Sequence, residues 1–252
     1  MRRRPSVAAL VVGALVVGTL VASCIVADGA FLLPTVVLWL VLGGFLLAFW
    51  VGEKRHERLQ AWGAARGWTY QRHDQSLRSR WTGPPFGEGA NRQATEVLRG
   101  PVDGRAAVSF TYRWTVGTGK QKTTHTRQVV ALDLPTALPG LQLTPEWLGS
   151  RMARALGAQD IQFESEEFNR AWRVQARDLK FAHDVVHPRL MARLLQDDAR
   201  RANLRIEGAT VLTWLPNGTD VDRIDPALTL LRALVDAVPR HVWEDMGLPT
   251  AR

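Results

Sequence analysis

The strongest chemical pattern in this sequence is a pair of histidines. His183 and His187 lie four residues apart, and Asp184 directly follows the first. Two histidines at this spacing on one helix bind zinc in metalloproteases, where a glutamate beside the first histidine acts as general base. A metal-dependent hydrolase that uses His183 and His187 is therefore one hypothesis. Candidate third ligands are the nearby acids Glu164, Glu166 and Glu167.

Two features of the same stretch oppose a metal site. Asp184 is shorter than the glutamate that serves as base in the metalloprotease motif. Pro188 directly follows His187 and disfavours helical geometry there, so the two imidazoles should not share one unbroken helical face. We expect His187 to precede a helix over residues 188–201, with Pro188 in its first turn. The sequence therefore predicts no metal and no cofactor, and leaves His183 and His187 as the candidates if a metal binds.

Two further patterns have structural explanations that outweigh a functional one. The acids near Glu164 are followed by Arg170, Arg173 and Arg177, which predicts exposed ion pairs rather than an acid and base pair. The glycines of residues 81–89 resemble a phosphate-binding loop, but two prolines remove N–H donors and no lysine follows. We expect an irregular loop there and no catalytic residue anywhere in the chain.

Composition and charge limit the classes of partner. Of the 32 Lys and Arg residues, three are Arg2, Arg3 and Arg4, and none lies between Pro5 and Gly52. The remainder of the chain has 29 basic and 23 acidic residues, a net charge of +6, and its arginines alternate with acids. This distribution lacks the basic stripe of a nucleic-acid-binding surface. We expect no nucleic acid, and only a general attraction to anionic surfaces.

The first fifth of the chain predicts a transmembrane helical hairpin, residues 1–52. Residues 6–27 and 31–51 are charge-free runs separated by Asp28, Gly29 and Ala30. At roughly 1.5 Å per residue, the first run makes a helix of about 33 Å, which matches a hydrocarbon core of roughly 30 Å. A connection this short permits only a tight reversal, so both ends should lie on one side of the membrane.

The charged flanks predict the orientation. Arg2 to Arg4 precede the first span, while Lys54, Arg55 and Arg58 follow the second. Because positive flanks stay in the cytoplasm, both termini and residues 53–252 should be cytoplasmic, with the protein in the plasma membrane. We expect Lys54, Arg55 and Arg58 to contact lipid head groups from a helix over residues 54–66.

Cys24 leaves an alternative open at the N-terminus. Val21-Ala22-Ser23-Cys24 resembles a bacterial lipobox, in which the cysteine becomes lipidated after cleavage. The second apolar run argues for an uncleaved hairpin instead. As the single cysteine, Cys24 also excludes an internal disulfide and a cysteine-based zinc site.

Residues 53–252 predict an α+β domain, an antiparallel sheet packed by several helices. Apolar residues alternate with polar ones from Val108 to Val116, as in a half-buried strand. Together with strands at residues 94–99 and before Leu132, this predicts a three-stranded meander. The aromatic row Phe110, Tyr112 and Trp114 is expected to be core rather than a stacking surface for a ligand.

The remaining elements follow from local signals. We expect a linker over residues 135–140, a helix that Thr144 and Pro145 begin, and a short strand at 173–177 followed by a cap at Asp178. Residues 203–207 and 209–215 predict a hairpin. A last helix should start with Asp225 as N-cap and end before Pro239.

One stretch resembles a known group of proteins. The residues that carry the resemblance are Phe163-Glu164-Ser165, Glu167-Phe168-Asn169, Trp172, Val174, Asp178, Ala182, His187-Pro188-Arg189, Met191 and, upstream, Gly83, Pro85-Phe86-Gly87 and Gly89. They are similar to uncharacterised membrane-anchored proteins, with a domain of unknown function, from high-GC Gram-positive bacteria. The resemblance covers most of residues 62–195. It implies a membrane anchor and a small α+β domain, and it transfers no catalytic residue.

Three functional hypotheses result. The first is a non-enzymatic, membrane-tethered binding or scaffolding module, whose partners would be membrane lipid and another membrane or cytoplasmic protein. The second is the metal-dependent hydrolase with His183 and His187. The third is a domain that senses anionic lipid through Lys54, Arg55 and Arg58.

Overall fold

The computed structural model describes residues 32–146, 159–200 and 202–248, which form two compact units with a boundary between Glu57 and Arg58. The helices are α1 (Leu32–Ala65), α2 (Glu166–Ala171), α3 (Leu179–Val185), α4 (Pro188–Leu194), α5 (Ile224–Asp236) and α6 (Arg240–Asp245). The strands are β1 (Thr69–His73), β2 (Ala90–Val102), β3 (Arg105–Val116), β4 (Thr123–Pro145), β5 (Gln159–Ile161), β6 (Trp172–Ala176) and β7 (Asn203–Pro216).

Only part of the predicted hairpin falls within this description. The first predicted span, residues 6–27, lies outside the described residues. The second span and the helix predicted over residues 54–66 are one continuous helix, α1. Pro34 lies in its first turn, where the missing N–H breaks no intrahelical hydrogen bond, and no proline follows in the helix.

The seven strands form one antiparallel sheet, which confirms the predicted α+β class. The strand order is β1-β2-β3-β4-β6-β5, and β7 pairs with the other side of β4. The predicted meander is present as β2, β3 and β4, with the β2–β3 turn at Asp103 and Gly104, both at positive φ. β4 pairs with β3 in its first half, with β6 from Leu141 to Pro145, and with β7 from Arg127 to Leu143.

Two predicted breaks in the sheet are wrong. The predicted linker at residues 135–140 lies inside β4, because shifts in the β4–β7 register on both sides of Leu138 accommodate the two prolines there. Thr144 and Pro145 are the last residues of β4, and a 3-10 turn begins at Glu146. The rest of the helix predicted after them falls in residues 147–158, outside the description. The predicted hairpin at residues 203–215 is the single strand β7, in which Gly208, at φ +58°, forms an irregularity instead of a turn.

The sheet is covered on both faces, so that two separate cores form. The larger core lies between one face and the helices, and includes Leu143, Phe168 and Leu231. The smaller core lies on the other face, where Phe110, Tyr112 and Trp114 pack under the segment from Asp74 to Gly89. That segment contributes Leu77, Trp81 and Phe86. The prediction that the aromatic row is core is confirmed.

The expectation of a half-buried β3 holds in its second half, where Arg113 is exposed, but is wrong in the middle of the strand, where the polar side chains of Ser109 and Thr111 are also covered. Ser109 is fully buried, and Thr111 accepts a hydrogen bond from the Thr219 N–H at 2.7 Å. Gln128 donates to the Asp220 carbonyl at 2.9 Å and accepts from the Asp220 N–H at 3.2 Å. The segment after β7 therefore lies on this polar strip, and each burial is offset by a hydrogen bond.

Local capping sets the short helices around the larger core. Ser165 accepts from the Phe168 N–H at 3.2 Å and Asp178 from the Phe181 N–H at 3.0 Å, so each begins a helix as N-cap. The predicted cap at Asp178 is confirmed. His187 is the N-cap of α4 with Pro188 at N1, as predicted, although α4 ends at Leu194 and not at residue 201.

The C-terminal helices differ from the prediction. α5 begins at Ile224, after a 3-10 turn over Val221–Arg223 that Asp220 caps, so the prediction of Asp225 as N-cap is wrong. The helix ends at Asp236, before Pro239 as expected. Pro239 is also the N-cap of α6, which no local signal had predicted.

Candidate functional site

Helix α1 exposes the apolar surface of the molecule. Of the large hydrophobic side chains that are exposed in the described residues, ten lie on α1 between Val36 and Trp50 and only three lie elsewhere. Within the described residues, it is the one helix long and apolar enough to cross a membrane. An exposed apolar surface of this extent requires a partner or a membrane to cover it. α1 is therefore a candidate membrane span.

The cations expected at lipid head groups have different surroundings. The Lys54 ammonium lies 3.4 Å from the centre of the Trp50 ring, a cation–π contact one helical turn away. Arg55 lies on the same helix. In the second unit, Arg58 makes an exposed ion pair with Asp222 at 2.9 Å. The Lys54 and Trp50 pair is typical of a membrane interface, where tryptophan and lysine are enriched.

The structure places the two candidate metal-ligating histidines on different elements. His183 belongs to α3 and packs against the ring of Phe163, with the ring centres 5.0 Å apart. His187 follows the end of α3 and caps α4. Asp184 forms an ion pair with His241 at 3.2 Å. Across residues 32–146, 159–200 and 202–248, no group of three or more His, Cys, Asp or Glu side chains is arranged to hold a metal ion.

The acids around α2 also occupy structural positions. Glu166 and Glu167 lie in the first turn of α2, where negative charge is favoured by the helix dipole. Arg173 pairs with Asp160, whose carboxylate accepts from the guanidinium at 2.6 Å and from the Gln175 amide at 2.9 Å. Asp160 joins β5 to β6 and was not among the residues that the sequence analysis singled out.

A buried arginine is the main polar feature that sequence reasoning missed. Arg205 on β7 is 1% exposed and donates to the carbonyls of Thr82 at 2.6 Å and Pro84 at 2.5 Å. It also donates to Gln142 Oε1 at 2.8 Å and lies over the Trp214 ring at 4.9 Å. Burial lowers the pKa of Arg205, which the nearby Glu207 carboxylate opposes.

The Glu207 carboxylate lies next to Arg205, and the two side chains together form a clamp on the segment that contains Thr82 and Pro84. Glu207 Oε1 accepts from both the N–H and the hydroxyl of Thr82 at 2.8 Å, and Glu207 Oε2 lies 3.5 Å from the Arg205 guanidinium. Arg205 and Glu207 together hold the segment that covers the smaller core. An arginine within an alternating strand gives no local signal of this role, because the carbonyls that it binds, those of Thr82 and Pro84, lie more than a hundred residues earlier in the chain.

A polar depression of about 450 Å³ lies at the other end of the same segment. Gln75 and Arg78 line it from the 3-10 helix that follows β1, and residues 89–93 line it from the start of β2. Its lining contains two arginines, Arg78 and Arg92, and no carboxylate. Sequence reasoning missed it, because Arg78 and Arg92 are fourteen residues apart and converge only through the fold.

The buried Tyr112 hydroxyl lies close to Arg92, which lines the depression. Burial raises the pKa of Tyr112, and the Arg92 guanidinium and the Gly87 N–H oppose that rise. The hydroxyl nevertheless makes no hydrogen bond of good geometry with any described residue. The Trp114 indole N–H is likewise buried without an acceptor in the described part of the chain, and its Cδ1 lies against Gly89 in the depression lining.

Along the chain, the described residues thus form an exposed apolar helix and then an α+β domain with a long-stranded antiparallel sheet. A solved structure with a similar fold is the crystal structure of the mycobacterial trehalose monomycolate transport factor A, TtfA. The match has a TM-score of 0.55 at 17% identity and covers 73% of this chain and 96% of that one. No family model matches this sequence. No curated protein matches it.

Proposed function

We propose that this chain is a non-enzymatic, membrane-tethered binding or scaffolding module that serves the transport of an envelope lipid. The observation that carries the proposal is a fold like that of TtfA, a transport factor, on a chain that also has an exposed apolar helix. α1 anchors the chain, and the domain from Arg58 onward presents a surface to a membrane or cytoplasmic partner.

The described part of the domain supports a binding role over a catalytic one. His183 packs against Phe163, and His187 occupies the N-cap position of α4 without a side-chain hydrogen bond. Arg205, Glu207 and Asp160 hold segments of the domain together. Within the described residues, the two histidines belong to no group of His, Cys, Asp or Glu side chains that could hold a metal ion. The hydrolase hypothesis therefore has no observation in its favour.

We further propose that the anchor is a two-span hairpin over residues 6–27 and 31–51, with both termini in the cytoplasm. Lys54, Arg55 and Arg58 then lie near the cytoplasmic leaflet, whose anionic lipids attract basic side chains by about 1 kcal/mol each near the surface. Lipid sensing is part of this same role and not a separate function.

Partner capture tests the scaffolding role. We would purify the tagged full-length chain from native membranes in a mild, neutral detergent and identify the accompanying proteins and lipids by mass spectrometry. The matched control is an unrelated protein with the same tag and two membrane spans, at equal abundance. We expect a lipid-transport membrane protein or an envelope lipid to be enriched over the control. Recovery of the same companions with both baits would refute the scaffolding role.

Cysteine labelling tests the hairpin and its orientation. In a Cys24→Ser background, one variant carries Asp28→Cys at the predicted outer turn and another carries Arg189→Cys on the exposed surface of α4. A membrane-impermeant maleimide should label Asp28→Cys in intact cells, and Arg189→Cys only after lysis. Labelling of Arg189→Cys in intact cells would overturn the cytoplasmic placement, and protection of Asp28→Cys would overturn the outer turn.

A further inference from the structure

The depression lined by Gln75, Arg78 and residues 89–93 carries two arginines and no carboxylate to neutralise their charge. Many arginines in the described part of the domain have a carboxylate or carbonyl partner, such as Arg99 with Asp74 and Arg80 with Asp133. Arg78 and Arg92 make no ion pair with any described residue, yet both line one concave surface. Two uncompensated guanidinium groups on one concavity raise the local concentration of anions.

Two buried donors lie next to residues that line this depression. Trp114 is 5% exposed, and its indole N–H has no acceptor among the described residues. Tyr112 is fully buried, and its hydroxyl faces two donors, the Arg92 guanidinium and the Gly87 N–H, but has no acceptor for its own proton among the described residues. A buried polar group without a partner is uncommon in a native domain and calls for an explanation such as a bound ion or molecule. The surroundings of the Tyr112 hydroxyl include Arg92, which lines the depression, and the indole edge of Trp114 contacts Gly89, which also lines it.

The remaining lining matches an oxyanion better than an apolar ligand. Gln75, Asn91 and Gln93 add amide groups, and the apolar share of the surface is small. The acid of the adjoining segment, Glu88, does not line the depression. Donors around a concave, cationic surface are the groups that hold phosphate oxygens, which prefer arginine in a two-pronged arrangement.

We propose that this depression binds a phosphate-type oxyanion, as free phosphate or as the phosphate of a lipid head group, through Arg78 and Arg92. The side chains supply the donors, since Pro84 and Pro85 leave the preceding loop short of backbone N–H groups. The inference goes beyond the proposed scaffolding role and does not depend on it. The two proposals can fail separately, because partner capture tests the scaffolding role and arginine modification tests the anion site.

Arginine-specific modification measures this binding at each residue. Full-length chain in neutral detergent micelles is treated with phenylglyoxal, and peptide mapping gives the modification rate of each arginine with and without ligand. The two probes are inorganic phosphate and dihexanoyl phosphatidylglycerol below its micelle concentration. Arg189, exposed on α4, is the internal control.

We expect phosphate to slow the modification of Arg78 and Arg92 and to leave Arg189 unchanged. Arg92→Gln should weaken the protection of Arg78 about tenfold, the effect of losing one charge-assisted hydrogen bond of about 1.4 kcal/mol, while Arg189→Gln changes nothing. Equal or stronger protection by the short phospholipid identifies a head group as the source, and protection by phosphate alone identifies a soluble anion. If neither probe protects the wild-type arginines, or if Arg189 is protected to the same extent, the proposal is wrong whatever the variants do.

Discussion

Removal of the Arg205 side chain tests whether this residue fixes the covering segment of the smaller core. Arg205→Met keeps the length and bulk of the side chain but deletes the guanidinium. The Thr82 and Pro84 carbonyls and the Gln142 amide oxygen then lose their donor, and the Glu207 carboxylate loses its cation. Because Arg205 is 1% exposed, water cannot replace these contacts without opening the segment.

The size of the effect follows from this burial. Breaking a buried ion pair by removing one partner typically costs about 3–5 kcal/mol, a large part of the roughly 5–15 kcal/mol that stabilises a domain. We expect Arg205→Met to lower the free energy of unfolding by about 3–5 kcal/mol. The matched control is Arg58→Met, which removes an exposed pair with Asp222 and should cost less than about 1 kcal/mol.

Urea unfolding of the full-length chain in neutral detergent micelles, followed by tryptophan fluorescence, measures both variants against wild type. Trp81 and Trp214 lie in the affected core, so the signal reports on it directly. Trypsin supplies a second readout, since an opened segment exposes the bonds after Arg78 and Arg80. A loss for Arg205→Met no larger than that for Arg58→Met, with unchanged cleavage at Arg78 and Arg80, would refute the clamp.

Three further predictions concern other contacts within the domain. Hydrogen bonds from Ser76 and Arg99 hold the pKa of Asp74 below its usual range. The Asp74 carboxylate therefore stabilises the fold at pH values above its unfolded pKa of about 3.9, and this contribution disappears as the pH falls through the lower, folded pKa. Asp74→Asn should make the free energy of unfolding less dependent on pH in the acid range, and an unchanged acid limb would contradict this. Gly100→Ala would place a methyl group 2.2 Å from Trp68 Cδ1 and should lower the free energy of unfolding by about 1–3 kcal/mol in urea titrations, whereas a neutral result would mean that the Trp68 ring can move aside. Tyr112→Phe removes a buried hydroxyl that has no acceptor among the described residues and should raise the free energy of unfolding in phosphate-free buffer by up to about 1 kcal/mol. A clear loss would show that the Arg92 and Gly87 donors stabilise the hydroxyl.

Local patterns sufficed for the elements whose causes are local. The alternation from Val108 to Val116 predicted β3, and the Asp178 and His187 caps marked two helix starts, because strand periodicity and capping involve only neighbouring residues. The aromatic row was also correctly assigned to the core, because an exposed row of large rings would leave too much apolar surface in contact with water.

The errors occurred where distant pairing overrides local preference. Prolines at 135 and 139 and Gly208 are turn signals, yet β4 and β7 pair across them and absorb the misfit as irregularities. The buried state of Thr111 depends on Thr219, more than a hundred residues later. The depression with Arg78 and Arg92 is likewise formed by two segments that only the fold brings together, so no spacing in the sequence indicates it.

The length and partners of β4 have a consequence for how the chain reaches its folded state. β4 meets β3 soon after synthesis, since Ala107 and Leu132 are 25 residues apart, but its pairs with β7 join residues 61 to 89 positions apart, from Leu143 with Leu204 to Arg127 with Pro216. Pairing over such distances is slow, because the loop must close before any contact forms. A nascent chain therefore presents the open side of β4 until β7 emerges, an edge on which other chains can pair. Aggregation during synthesis should thus decrease when the delay between β4 and β7 is shortened, even if the stability of the finished sheet is unchanged.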